Sequence, residues 1–505
     1  MPVPQPTAAD SRASTWDAVQ GTFDVAIVGG GVGGAAVFSE LARRGYRCLL
    51  VDRGDFASGT SQASGMLVWG GLLYLRRLEL ATVVRLSRAR DELLLTDSHA
   101  VRTAAFRFFT RPGGRHPWMV RGALEAYWLL GAGRRGRPRR GGMPGTRDVL
   151  APDRFGRSYS YEEGYLATSD ARLTLDWILA ASDGERVAIN HAELVGADRS
   201  AGRRPSWELE LVDRRTGHAR TARARTLVVA AGVWADDVAR RCQLATRHRH
   251  VFSKGVYLGL PRPQGLEEFL AIDMGRHGDT LTLTPWGPIA LWGPTETGIE
   301  TIDEGLAPTR DDVRFLLDAA NENLAGHFTG ANVVSLRCGI RPLAVPDSYD
   351  RKVYPLDLSR RCVVDVDAAR GGLTLYGGKI TSARDQARRA AHAIGRLVEP
   401  TGTPAAGRTT ADPPITDLGL GGHASPVVDP EHARDHESCA TLDDYLRRRT
   451  TIAQWIPRLG LGRADENRAT LQRVAGIIEG ADRASAAVDE LADRARAQDD
   501  LLGLL

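Results

Sequence analysis

An α/β fold is predicted from three observations: an apolar run ending in a glycine-rich turn, a helix-spaced segment after it, and a second apolar run that closes the unit. Residues 23–28 lead into Gly29-Gly30-Gly31-Val32-Gly33-Gly34, residues 35–43 have helical spacing, and 48–51 is the second run. This is a Rossmann-like βαβ unit. The chain's 505 residues, 43% hydrophobic and 25% charged, suit a soluble globular protein with more than one core. A formal charge of +4 over that length is too small to make a nucleic-acid binder. Cys48, Cys242, Cys338, Cys362 and Cys439 are far apart, which argues against a disulfide framework or zinc site and fits a reducing compartment. No apolar run approaches the roughly 20 residues that span a bilayer. A cytoplasmic protein is expected, with peripheral contact at the inner face of the membrane left open.

In chain order, residues 1–22 lack hydrophobic periodicity and read as a flexible leader. The first part of the dinucleotide-binding domain follows over 23–75. Residues 76–250 mix segments of that domain with segments of a second one, and include an exposed basic loop at 131–142 with Arg134, Arg135, Arg137, Arg139 and Arg140. Strand-like spacing at 207–212, 219–230, 251–259, 280–284 and 289–293 predicts a strand-rich second domain, bounded at 251–365. A short strand at 373–376, a Gly377-Gly378 turn and a helix from about 381 to 397 return to the first domain over 366–400. A linker rich in Pro, Gly, Thr and Ala is expected over 401–440, then a small helical C-terminal domain over 441–505.

Gly29, Gly31 and Gly34 fit GxGxxG at the strand-to-helix turn, and Asp52 stands about 20 residues on, where an acid binds a ribose hydroxyl. Without side chains, the glycines let backbone approach a pyrophosphate whose charge the helix N-terminus stabilises. Two later segments favour FAD over NAD. The strand at 226–230 ends in the small residues Ala231 and Gly232 before Trp234, which lets backbone lie along a dinucleotide. Gly377-Gly378-Lys379-Ile380-Thr381 opens a late helix whose N–H groups stabilise negative charge on a reduced flavin. The competing reading of each is an ordinary turn of an α/β protein.

At Ala57-Ser58-Gly59-Thr60-Ser61, Gly70-Gly71-Leu72, Tyr74-Leu75, Asp170-Ala171-Arg172-Leu173, Lys254-Gly255, Gly339-Ile340-Arg341-Pro342-Leu343, Gly377-Gly378-Lys379 and the run at 442–450, the chain resembles the FAD-dependent glycerol-3-phosphate dehydrogenases and oxidases. The motifs occur in order over about residues 23–480. The resemblance implies a flavin domain, an antiparallel-sheet substrate domain and a helical C-terminal domain. It also implies oxidation of a secondary alcohol, with hydride passing to flavin, the hydroxyl proton to a base, and electrons on to a quinone or oxygen. With the motifs above, it points to cofactor contacts at Gly29, Gly31, Gly34, Asp52, Thr60, Ser61, Gly70, Gly71, Val187, Ala231, Gly232, Trp234, Gly378, Lys379 and Thr381. Substrate contacts are expected at Trp69, Leu73, Tyr74, Lys254, Arg341 and Lys379, with catalytic roles for Tyr257, Arg341 and Lys379.

The departures matter as much. Where the family reads Ser-Ser-Lys-Leu-Ile-His-Gly-Gly-Leu-Arg-Tyr-Leu, this chain places Met66, Trp69 and Leu73 at the lysine, histidine and arginine. Lys-Gly-Ser-His becomes Lys254-Gly255-Val256-Tyr257, so a natural proton acceptor is replaced by a phenol, a far weaker base. Tyr74, Arg341 and Lys379 remain to hold a phosphate or carboxylate, Arg341 by a two-pronged contact. Arg341 in an internal ion pair, Tyr74 in the core, and Met66 and Trp69 as filler are the competing readings. The expected reaction is hydride transfer from the carbinol C–H of an anionic alcohol to FAD. The expected substrate is bulkier than glycerol 3-phosphate, such as a biosynthetic intermediate. Amine or amino-acid oxidation, with Arg341 on the carboxylate, and a flavin-bound protein with a decayed site compete with it. Self-association is left open.

Overall fold

The computed structural model describes residues 8–141, 148–151, 154–202, 205–274, 280–349, 358, 361–405, 412–421 and 426–504. Residues 1–7 of the expected leader, Gly142 of the basic loop and parts of the expected linker lie outside this set. In chain order the main elements are α1 (Ala8–Ala18), β1 (Thr22–Val28), α2 (Val32–Arg43), β2 (Cys48–Val51), β3 (Leu67–Val68), α3 (Leu80–Thr96), β4 (Val101–Phe109), α4 (Pro117–Leu130), β5 (Arg139–Gly141) and β6 (Ser158–Leu166). Then come α5 (Asp170–Ala181), β7 (Arg186–Ile189), β8 (Ala192–Arg199), β9 (Trp207–Asp213), β10 (Ala219–Val229), α6 (Ala235–Arg241), β11 (His248–Pro261), β12 (Phe269–Asp273), β13 (Thr280–Trp286), β14 (Ile289–Gly293) and β15 (Thr297–Ile299). After α7 (Arg310–Asn323) follow β16 (Ser335–Pro346), β17 (Cys362–Asp367), β18 (Gly372–Gly377), α8 (Ala383–Ile394), the β19–β20 pair (Ile415–Thr416 with Val427–Val428) and α9 (Pro430–His436).

The first sheet runs β17-β18-β10-β1-β2-β7, with β9 and β8 continuing from the N-terminal half of β10. From β18 to β7 the strands are parallel, and β1, β2, β7, β18 and the last four residues of β10 are buried or nearly so, as strands covered on both faces require. The second sheet is antiparallel except where β12 lies parallel to β4, and its spine is β11, which pairs with β16 along twelve residues. The long helices Arg468–Glu479 and Ala481–Leu501 close a third, separate core with Leu442, Tyr445 and Leu446.

Several sequence expectations need correction. The leader is not loose from residue 8 onward: α1 packs there, with Trp16 and Val19 buried beside Phe23 and Arg12 paired with Asp213 at 3.1 Å. Those are tertiary contacts that leave no periodic pattern. The strands expected at 207–212 and 219–230 belong to the first sheet, not to a second domain. So does β17, which falls inside the expected 251–365 segment and joins the first sheet antiparallel to β18. The basic loop is partly ordered, because Arg139–Gly141 pairs with β6 and Arg135 reaches Asp91 at 3.3 Å. The described end of the expected linker is structured as well. Asp429 caps α9, with Pro430 at its first turn, and Leu420, Val427 and Ala433 enter the C-terminal core.

Candidate active site

A cleft of about 1850 Å³ runs between the glycine turn of the first sheet and the β11–β16 spine of the second. That exceeds the roughly 300–1,000 Å³ of an ordinary small-ligand site and suits a dinucleotide plus substrate.

At the glycine turn, Gly29 has φ +112° and a Cβ there would sit 2.4 Å from the Ala230 carbonyl oxygen. Only glycine fits. Gly31 lines the cleft, whereas a Cβ on Gly34 would meet the Gly29 carbonyl at 1.8 Å, so Gly34 serves the close approach of α2 to the turn rather than the cleft wall. The Asp52 carboxylate accepts the N–H of Gly30 at 2.6 Å and of Gly54 at 2.8 Å. Burial nevertheless dominates and pushes its pKa up to about 6. Ser61 accepts the Val32 N–H at the start of α2, and Thr60 donates to the Ile340 carbonyl of β16, tying the flavin-side loop to the second sheet. Ala231, Gly232 and Trp234 line the same end, and the Arg53 guanidinium lies 4.3 Å above the Trp234 ring.

Besides Gly34, two expected cofactor contacts are not in the cleft. Val187 lies on β7 opposite Leu49 and packs in the core, because β7 is a buried strand. Gly70 rests on a buried Arg90–Tyr127–Glu163 network, and a Cβ there would lie 2.3 Å from the Tyr127 hydroxyl. Its neighbour Gly71, at φ +98°, does line the cleft. Met66 is buried in the core rather than in the cleft wall, its sulfur 3.9 Å from Arg337.

The substrate end is built on strand alternation. Gly255 and Gly339 face each other across β11 and β16, leaving a patch free of side chains over which Arg341 lies. A Cβ on Gly255 would come within 2.1 Å of the Arg341 guanidinium, and one on Gly65 within 2.2 Å of the Tyr257 hydroxyl. Tyr257 thus fills the place where the loop carries Gly65. Arg341 is engaged in the internal pair that competed for it, 3.2 Å from Glu296, and it also donates to Ser253 and the Thr295 carbonyl. Lys254 projects to the opposite face, toward α7, where its ammonium is buried 2.6 Å from Asp312. It lines the cleft all the same, with its charge already paired. Asp312 also accepts the backbone N–H and hydroxyl of Thr309 at the start of α7, so one carboxylate serves cap and ion pair. On the other wall the Lys379 ammonium stands 4.9 Å from the Tyr74 ring centre, and Leu73 and Trp69 line the same cleft. Gly377, Gly378, Lys379 and Thr381 line the turn into α8. No histidine lines the cleft among the described residues.

Sequence reasoning did not find Glu296, Asp312 or Ser253. Thr309-x-x-Asp312 signals a helix start, but nothing in it announces the partner on β11. The Asp170 of the Asp-Ala-Arg-Leu motif proves to be a strut: it accepts the Ser64 N–H and the buried Arg337 guanidinium, each at 2.7 Å. Outside the cleft, Asp55, His191 and Asp444 cluster closely enough to hold a metal, but Arg448 and Arg449 already occupy the two carboxylates.

The profile of the family described as FAD dependent oxidoreductase (DAO) matches residues 24–384. The chain belongs to this family. This FAD-dependent oxidoreductase is 29% identical over 408 residues to the D-erythritol 1-phosphate dehydrogenase of Brucella abortus, covering 78% of this chain and 77% of that one. It is 28% identical over 377 residues to the glycerol-3-phosphate dehydrogenase of Pseudomonas aeruginosa, covering 73% and 70%. Its fold matches the glycerol-3-phosphate dehydrogenase of Bacillus halodurans complexed with FAD, with a TM-score of 0.70, 18% identity and 98% of both chains covered. The cofactor of this FAD-dependent oxidoreductase is FAD, and the cleft wall without side chains at Gly29 and Gly31, with the Asp52 carboxylate beside it, fits that group. None of its described helices is long and apolar enough to cross a membrane.

Proposed function

We propose that this oxidoreductase oxidises the carbinol carbon of an anionic alcohol, phosphorylated or carboxylated, and that glycerol 3-phosphate is not its preferred substrate. The observation that carries this reading is the Lys379 ammonium over the Tyr74 ring in a cleft also lined by the apolar Leu73 and Trp69. The cation attracts an anionic group. Leu73 offers no donor to a second phosphate oxygen, and Trp69 adds aromatic surface for a larger carbon skeleton. The relatives named for phosphorylated polyols support a phosphorylated alcohol. Bound FAD supplies the hydride acceptor. Lys379 holds the anion, with Arg341 exchanging Glu296 for it. The Tyr257 hydroxyl, seated against Gly65, takes the substrate's hydroxyl proton as it gives its own to water in the cleft.

The test is anaerobic bleaching of the flavin by a panel of glycerol 3-phosphate, tetritol and sugar phosphates, hydroxy acids and amines. Bleaching by a larger anionic alcohol at a kcat/KM well above that for glycerol 3-phosphate is expected. Bleaching by amines alone, or by nothing, overturns the reading.

Electrons leave to a quinone or to oxygen, and a lipid surface suits the first. Trp118, Met119 and Leu129 on α4 are 68%, 54% and 66% exposed, and Arg134, Arg137, Arg139 and Arg140 stand exposed just after the helix. Apolar groups with cations beside them suit anionic lipid, each cation contributing about 1 kcal/mol and screened by salt. Sedimentation with anionic liposomes is expected at low salt and lost at high salt; absence of binding at low salt refutes it.

A further inference from the structure

On its helix side the turn that carries Lys379 is held by Ser382, whose hydroxyl accepts the Lys379 N–H at 3.2 Å and donates to the Lys379 carbonyl at 3.1 Å, and by Gln386, which donates to the Tyr376 carbonyl at 3.2 Å. Gly377 and Gly378 lie at φ +62° and +96°, and both line the cleft. The Gly377 end is met from the other sheet. The Gly377 N–H donates to Nε2 of His250, on β11, at 3.1 Å. The His250 side chain is fully buried, its ring 4.8 Å from that of Tyr376, the residue before the turn. Its Nδ1 lies 3.3 Å from Asp236 of α6, and the same carboxylate accepts the His250 backbone N–H at 3.1 Å.

A backbone N–H is only a donor, so Nε2 must present its lone pair and the ring proton must sit on Nδ1, facing Asp236. Accepting the Gly377 N–H at Nε2 makes the imidazole one neutral tautomer, its Nδ1 3.3 Å from the Asp236 carboxylate. We propose that His250 is a positioning residue: its Nε2 fixes the Gly377–Lys379 turn, and with it both the N–H groups offered to the flavin and the ammonium offered to the substrate. The flavin half stands alone; the substrate half rests on the role proposed above for Lys379.

The variants His250→Phe, which keeps a ring but has no acceptor, and His250→Gln, whose amide oxygen reaches about as far as Nε2, separate an acceptor from a filler. The affinity of the full-length protein for FAD, followed by flavin fluorescence, is expected to fall about tenfold in the phenylalanine variant and to recover in the glutamine variant. KM for the best anionic substrate should follow the same order, with kcat changed less. Equal flavin affinity in wild type and His250→Phe, or equal losses in both variants, overturns the proposal. If His250→Phe does not fold, the wild-type holoenzyme decides. Long-range nitrogen–proton NMR with labelled histidine is expected to show one neutral ring protonated at Nδ1, and a His250 protonated at Nε2 overturns the proposal. Neither flavin affinity nor tautomer involves substrate, so a failed substrate panel would strike the functional reading and leave these two results standing.

Discussion

Two side chains show how far environment redirects chemistry at the scale of a residue. Asp52 is raised to about 6 by burial, while an unfolded aspartate titrates near about 3.9. Between those values the folded, flavin-free protein holds a proton that the unfolded chain has released, so its stability falls as pH rises through the window. A ribose hydroxyl donates to the ionised carboxylate, so FAD binding expels this proton. The FAD dissociation constant is therefore expected to rise as pH drops from about 7 to about 5, and Asp52→Asn should flatten the dependence; flavin fluorescence titrations at each pH measure both. Leu73 is the second case. Leu73→Arg places a cation beside Lys379, and KM for glycerol 3-phosphate is expected to fall by about one order of magnitude, the worth of a charge-assisted hydrogen bond. Steady-state kinetics check it, and an unchanged KM would put the anion elsewhere. Gly29, Gly31 and Asp52 were legible because their chemistry is local to one turn. Glu296 and Asp312 were not, because each acts on a residue 45 or more positions away and leaves no spacing signal.

At the scale of elements, β11 does two jobs through alternation, sending Tyr257 toward the flavin-side loop and Lys254 toward α7. The α1 helix shows the opposite case, in which a weakly patterned segment is held by what surrounds it. Trp16 is 5% exposed in the core that contains Phe23 and Trp207. Trp16→Ala is expected to cost about 3 kcal/mol, the lower end for emptying a buried tryptophan site, measured by urea unfolding. A loss below about 0.5 kcal/mol would restore the flexible-leader reading.

The whole molecule is joined by a buried ion-pair network behind the dinucleotide turn. Arg449 grips Asp55 through two nitrogens at 2.6 and 2.9 Å, and Arg448 bridges Asp55, Asp443 and Asp444. Asp55 follows β2, three residues after Asp52, so the C-terminal helices brace the loop that holds the ribose acid. Burial alone would raise Asp443, but Arg448 and Arg494 bring it down to about 2, and Asp444 is held lower still. These folded pKa values lie below the unfolded ones, so their stabilisation is present above about pH 4 and is lost as pH falls toward 2. Acid titration followed by near-UV circular dichroism and flavin fluorescence is expected to show loosening and flavin release in that window. Asp55→Asn leaves two buried guanidinium groups short of a partner, and a loss of about 3 kcal/mol or more is expected by urea unfolding.

The sequence by itself determined the βαβ unit, the glycine turn with its acid, the strand at 226–230 and the Gly377–Gly378 opening of α8. Each is written in residues a few positions apart or, for Asp52 and the βαβ unit, at a fixed spacing of one strand–helix–strand, where periodicity, small side chains and backbone geometry act directly. Only the tertiary structure decided that β8 to β10 join the first sheet, that α1 packs, that Val187 and Met66 are core, and that Arg341 and Lys254 arrive already paired. Sheet membership and ion pairing depend on which surfaces meet after folding, and desolvation ties a buried cation to the nearest carboxylate whatever its distance along the chain.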